Sequence, residues 1–169
     1  MNAENILKRT RFLLAFFIFA MVGSGATAIP LRWETSILNQ LFGEGSFIVG
    51  LWPSLAGWIT KVYRGVLETD QAYPFIAYGT DWLAFGHFAI AIAFLGPLYD
   101  PARNIWVIKF GLITCLLVIP YALIFGYIRE IPLFWRGIDM SFGVLGAIPL
   151  LLALKYAQGI ASQEPPEAA

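Results

Sequence analysis

Residues 106–127 read WVIKFGLITCLLVIPYALIFGY. The run holds one cation, Lys109, a turn from its start, and no acid. A helix rises about 1.5 Å per residue, so about 20 apolar residues cross the hydrocarbon layer of a bilayer. An indole opens the run and a phenol closes it. Both rings prefer the headgroup level, where an apolar body meets a polar tip. The same bracketing recurs on either side: residues 82–99 are WLAFGHFAIAIAFLGPLY, and residues 135–156 are WRGIDMSFGVLGAIPLLLALKY. This predicts spans at 82–99, 106–127 and 135–156. Pro120 and Pro149 predict kinks, tolerated where neighbouring helices satisfy the freed carbonyls.

A further apolar run, residues 12–30, FLLAFFIFAMVGSGATAIP, follows Lys8, Arg9 and Arg11. Two readings fit it. Ala26-Thr27-Ala28 has the small-x-small form of a signal-peptide cleavage site. Alternatively the run is an uncleaved first span with Trp33 as its interfacial anchor, and this reading is preferred. Composition agrees with a membrane. Of 169 residues, 59% are hydrophobic and 13% charged, against roughly 45–50% and about 25% in soluble domains. So few charges exclude a soluble domain, a disordered chain and a coiled coil. Eleven cations balance eleven acids with no basic patch, so the first partner is the lipid bilayer and no nucleic acid is expected.

Between the first two spans, Leu51, Trp52, Leu55, Trp58, Ile59, Val62, Tyr63, Val66 and Leu67 recur at helical spacing. Ser54, Gly57, Thr60, Lys61, Arg64 and Glu68 fall off that stripe. A striped helix lies at an interface or caps a bundle, which predicts an amphipathic helix at about 50–68. The competing reading is a fifth span at 46–62, which reverses the orientation of everything after it. The expected fold is therefore all-α: a polytopic membrane four-helix bundle with an interfacial amphipathic helix in its first extramembrane loop. Residues 1–161 form one transmembrane domain, and the polar tail 162–169, SQEPPEAA, is expected to be disordered. The cations before the first span place both termini in the cytoplasm.

Chemistry has few places to sit. Asp81 and His87 open the second span, Arg129 and Glu130 follow the third, and Arg136 and Asp139 open the fourth. His87 lies about 7 Å past Trp82 along the axis, and Asp139 about 6 Å past Trp135. Arg136 and Asp139 are three apart, so a local ion pair is available. The sharper reading turns Asp139 into a polar cavity with Arg136 clamping an anion. His87 is either an interhelical hydrogen-bond partner or, with a carboxylate such as Asp139, an acid–base group. His87, Asp139, Arg136 and Asp81 are thus the candidate catalytic residues. Trp58, Trp82, Trp135, Arg129 and Glu130 are the candidate ligand-binding ones. No metal is expected, because no ligand spacing supports one, and no cofactor, because a single histidine excludes bis-histidine haem. Cys115, the lone cysteine, reads as an apolar filler. No HExxH, GxSxG, CxxC or phosphate-cradling glycine loop is present, so the corresponding chemistries lack support.

Small residues four apart, Ala20 and Ser24, Ala89 and Ala93, Gly143 and Ala147, are expected where helices touch. Two functions are carried forward. One is an accessory, assembly or interaction subunit that binds another membrane protein. It expects alanine at His87, Asp139 or Arg136 to be tolerated and bulk at Gly143 or Ala147 to break the complex. The other is an embedded enzyme or receptor for a lipid-like small molecule, with His87, Asp139 and Arg136 as its polar end. A solute transporter has less support, for want of polar residues at mid-span. In outline, one span, a long outer segment and three spans, the chain is similar to the sterol-isomerase and sigma-2-receptor type of four-helix protein. That resemblance implies a sterol-like ligand between helices. No motif aligns, so no residue is carried over.

Overall fold

The computed structural model describes residues 3–162, so the expected disordered tail, beyond Ser162, lies outside the described residues. Every regular element described is helical: α1 (Ala3–Ala28), α2 (Leu31–Phe42), α3 (Ile48–Leu51), α4 (Pro53–Ala72), a 3-10 turn (Pro74–Ala77), α5 (Tyr78–Ala93), α6 (Leu95–Tyr99), α7 (Ile105–Ile128) and α8 (Leu133–Ala161). Among the described residues four stretches are long and apolar enough to cross a membrane: Glu4–Ala28, Pro74–Tyr99, Ile105–Ile128 and Leu133–Ala161. The chain is an all-α, multi-pass membrane protein. The last three stretches contain and overrun the expected spans, because aromatic anchors mark the edge of the lipid and not the end of the helix; the first starts earlier than expected and ends at Ala28, two residues short of 30. Only 11% of the most apolar part of α7 is buried within the protein, so most of its oily surface needs lipid around it.

The chain forms two compact units, Met1–Ala20 with Ile90–Ala169, and Met21–Ala89. In the first, all four spans supply a shared core of Leu14, Phe17, Phe94, Ile108, Leu150 and Ala153. The Phe17 and Phe94 rings lie 4.6 Å apart. Glycine sets how closely these helices approach. A Cβ on Gly111 would sit 2.5 Å from Phe94 Cζ and 2.8 Å from Leu150 Cδ1, and one on Gly143 would strike the Cys115 carbonyl. Ala20, Ser24, Ala89 and Ala93 are exposed and Ala147 is half-buried, so of the expected small-residue contacts only Gly143 is a close one. Arg11 donates from Nε to the Leu98 carbonyl at 3.2 Å and from Nη2 to that of Tyr99 at 3.0 Å. Lys8 and Arg9 share a shallow pocket with Leu152 and Tyr156. The start of α1 and the ends of α6 and α8 therefore meet at one end of this unit, as alternating spans require. Pro120 and Pro149 both lie inside continuous helix.

In the second unit α4 packs against α2, α3 and the 3-10 turn. Thr60 Oγ1 donates to Asn39 Oδ1 at 2.8 Å and accepts from the Glu44 amide at 2.9 Å. The amphipathic helix expected at 50–68 is displaced to Pro53–Ala72, with α3 separate in front of it. Pro53 excludes the preceding residue from helical geometry, and Trp52 takes φ −146° and ψ 78°. The same break removes a continuous fifth span at 46–62. Of the named stripe α4 buries Ile59, and beside it Ala56 and the off-stripe Thr60, whose hydroxyl is satisfied by Asn39 and Glu44; its partner, α2, is a helix the sequence reading missed. Where α1 meets α5, a Cβ on Gly25 would lie 2.9 Å from His87 Cβ and 3.1 Å from the Ala84 carbonyl.

Candidate functional site

The candidate polar residues fall in both units. Asp81 and His87 belong to the second unit, and Arg129, Glu130, Arg136 and Asp139 to the first. His87 Nδ1 lies 2.8 Å from the Leu83 carbonyl in its own helix. A carbonyl only accepts, so Nδ1 donates, and the half-buried ring is oriented by its own helix. Asp81 is exposed in the first turn of α5, where a carboxylate suits the helix dipole. Trp82 is exposed and meets Tyr78 and Phe85 edge-on, with centroids 5.9 and 5.4 Å away. Trp58 carries Lys61 Nζ 5.8 Å from its ring centroid, and Trp135 is half-buried near the start of α8.

Arg136 is a staple for the α7–α8 turn. Its Nε donates to the Ile131 carbonyl at 2.7 Å, and its side chain lies against Gly126 with no room for a Cβ between them. The turn is further closed by the Ile131 amide donating to the Gly126 carbonyl at 2.8 Å, and Glu130 takes a left-handed φ of 55° there. Among the described residues no ion pair joins Arg136 to Asp139. The local pair expected from their spacing is replaced by the carbonyl contact. Nor, among the described residues, do three His, Cys, Asp or Glu side chains gather closely enough to share a metal ion.

Two further concavities stand out among the described residues. One is a groove of about 480 Å³ along α7 and α8, walled by Leu117, Val118, Tyr121 and Phe125, with Arg129 and Asp139 among its lining residues. The other is a recess of about 690 Å³ in the second unit, between the start of α2, the second half of α4 and the turn into α5. Ile29, Leu31, Val62, Val66, Leu67 and Ile76 give it apolar walls. Arg32 and Asp70 also line it, paired at 3.0 Å. The recess adjoins the end of one span, Ala28, and the beginning of the next, Pro74, which puts it at the edge of the lipid. Nearby in α2, burial pushes the Glu34 carboxyl above its ordinary range. Of the three expected aromatic wall residues, Trp58, Trp82 and Trp135, none lines either concavity; Trp33 lines the recess instead. Sequence reading missed the recess because it missed α2. The available signal was LRWETSILNQLF, with Leu31, Ile37, Leu38 and Leu41 on helical spacing.

A scan against protein-family models and searches of curated proteins and of solved structures found no match.

Proposed function

We propose that the protein is a membrane-embedded binding protein for a lipid-like amphiphile, held in the recess of the second unit. One observation carries this reading: an apolar recess of about 690 Å³, at the edge of the lipid, with a single ion pair among its polar groups. Sites for small ligands are commonly concavities of roughly 300–1,000 Å³, mostly apolar, with a few placed polar groups. The Arg32–Asp70 pair is partly exposed, and such pairs contribute only about 0–1 kcal/mol. A ligand headgroup can therefore take over one partner at small cost. Among the described residues no ion pair joins His87 to a carboxylate, so the binding reading is preferred to a catalytic one.

Gly65 lines the recess, and a Cβ there meets nothing within 4 Å. Gly65→Leu thus fills the recess without disturbing its walls. Purified in mild detergent, the wild type is expected to carry a stoichiometric amphiphile by native mass spectrometry. Gly65→Leu is expected to keep its helicity and to carry one amphiphile fewer than the wild type. Equal retention by both proteins would refute the reading.

The interaction-subunit reading draws on a different observation. Phe47, which caps the short helix α3, and Leu51, its last residue, are 72% and 76% exposed outside the spans. A protein co-purifying in fixed ratio, and lost on changing both residues to Ser, supports that reading in place of the first. In both readings the cluster of Lys8, Arg9 and Arg11 favours cytoplasmic termini.

A further inference from the structure

The groove along α7 and α8 has a different chemistry from the recess and shares no lining residue with it. Its α7 wall runs from Thr114 to Arg129, about 22 Å of helix axis. One leaflet offers about 15 Å of hydrocarbon plus its headgroup layer, so the groove has the length of a single lipid. Asp139 stands six residues past Leu133, about 9 Å into the span. A carboxylate there needs a cation, and Arg136 does not supply it, being held by the Ile131 carbonyl. Arg129, exposed at the C-cap of α7, offers a positive charge where headgroup phosphates lie. The groove thus presents one cation and one anion beside a long apolar wall.

We propose that the groove seats one phospholipid whose headgroup carries a primary amine, with its chain along α7 and α8, its phosphate at Arg129 and its ammonium at Asp139. A zwitterion with both charges satisfies both side chains. A glycerol headgroup brings the phosphate but leaves Asp139 unpaired, and Glu130 beside Arg129 adds to the repulsion of a net anion.

The test uses the full-length protein in micelles doped with equal amounts of phosphatidylethanolamine and phosphatidylglycerol, read by native mass spectrometry. The wild type is expected to retain the amine lipid over the glycerol lipid by about tenfold, the scale of one charge-assisted hydrogen bond. Asp139→Asn, nearly isosteric, is expected to bring the ratio to about one. Arg129→Gln is expected to weaken retention of both lipids, and Ala122→Phe, which fills the groove, to abolish it. Gly65→Leu in the recess is expected to leave the ratio as in the wild type. Equal retention of the two lipids by the wild type overturns the proposal, as does an unchanged ratio in Asp139→Asn. Loss of the ratio in Gly65→Leu alone assigns the preference to the recess and also overturns it.

Discussion

An arginine three positions before an aspartate on one helix has the spacing of a local ion pair. Arg136 and Asp139 show what spacing leaves out: an unsatisfied carbonyl in a tight turn competes for the guanidinium, and the Ile131 oxygen wins. The account therefore treats the two residues differently. Arg136→Ala removes a charge-assisted hydrogen bond and the packing under Gly126, and is expected to cost about 1–3 kcal/mol. Asp139→Asn is expected to leave stability unchanged or raise it. Unfolding midpoints in detergent check this, and equal losses from both would mean that the two side chains do pair. Glu34 gives a pH test. Its folded carboxyl titrates above its ordinary range because burial disfavours the charge. Between the unfolded and folded values the folded chain holds more protons, so stability falls as the pH rises through that window. Thermal midpoints of the wild type are expected to drop from mildly acidic to neutral pH, and those of Glu34→Gln to drop less. Parallel curves would contradict the assignment. None of this was visible in the sequence, because Asp139, Arg136 and Glu34 owe their behaviour to neighbours that only folding supplies.

At the scale of elements, the spans were legible because lipid imposes a one-dimensional pattern, an oily run with aromatic ends. The α2–α4 hairpin was half legible. The stripe on α4 announced a partner, but α2 begins three residues after α1 ends and is too short to stand out. Pro53 could have been read as the start of a helix, since proline suits the first turn. Glycines separate by what a side chain would meet. Gly143→Ala is expected to cost about 1–3 kcal/mol, because the methyl group strikes the Cys115 carbonyl across α7 and α8 and overpacked cores lose about that much. Bulk at Gly143 thus reports first on the protein's own packing. Gly65→Ala, in open space within α4, is expected to gain about 0.5–1 kcal/mol from helix propensity. Chemical unfolding followed by circular dichroism measures both, and matching signs would contradict the packing described.

For the whole molecule, composition alone settles the solvent: with 13% charged residues, the chain cannot cover itself against water. Its concavities were not legible, since each depends on how more than one helix packs. The recess joins residues near 30, 65 and 77; the groove joins α7 to Asp139 of α8. Sidedness, in contrast, follows from counting. We propose that each of the four apolar stretches crosses once, which places the α2–α4 segment and the α7–α8 turn on one side and the turn after α6 on the other. With Cys115, buried in α7, replaced by Ala, single cysteines at Lys61, Arg103 and Glu130 can be labelled in intact cells with a membrane-impermeant maleimide. The account predicts that positions 61 and 130 respond alike and position 103 oppositely. Opposite responses at 61 and 130 would contradict it.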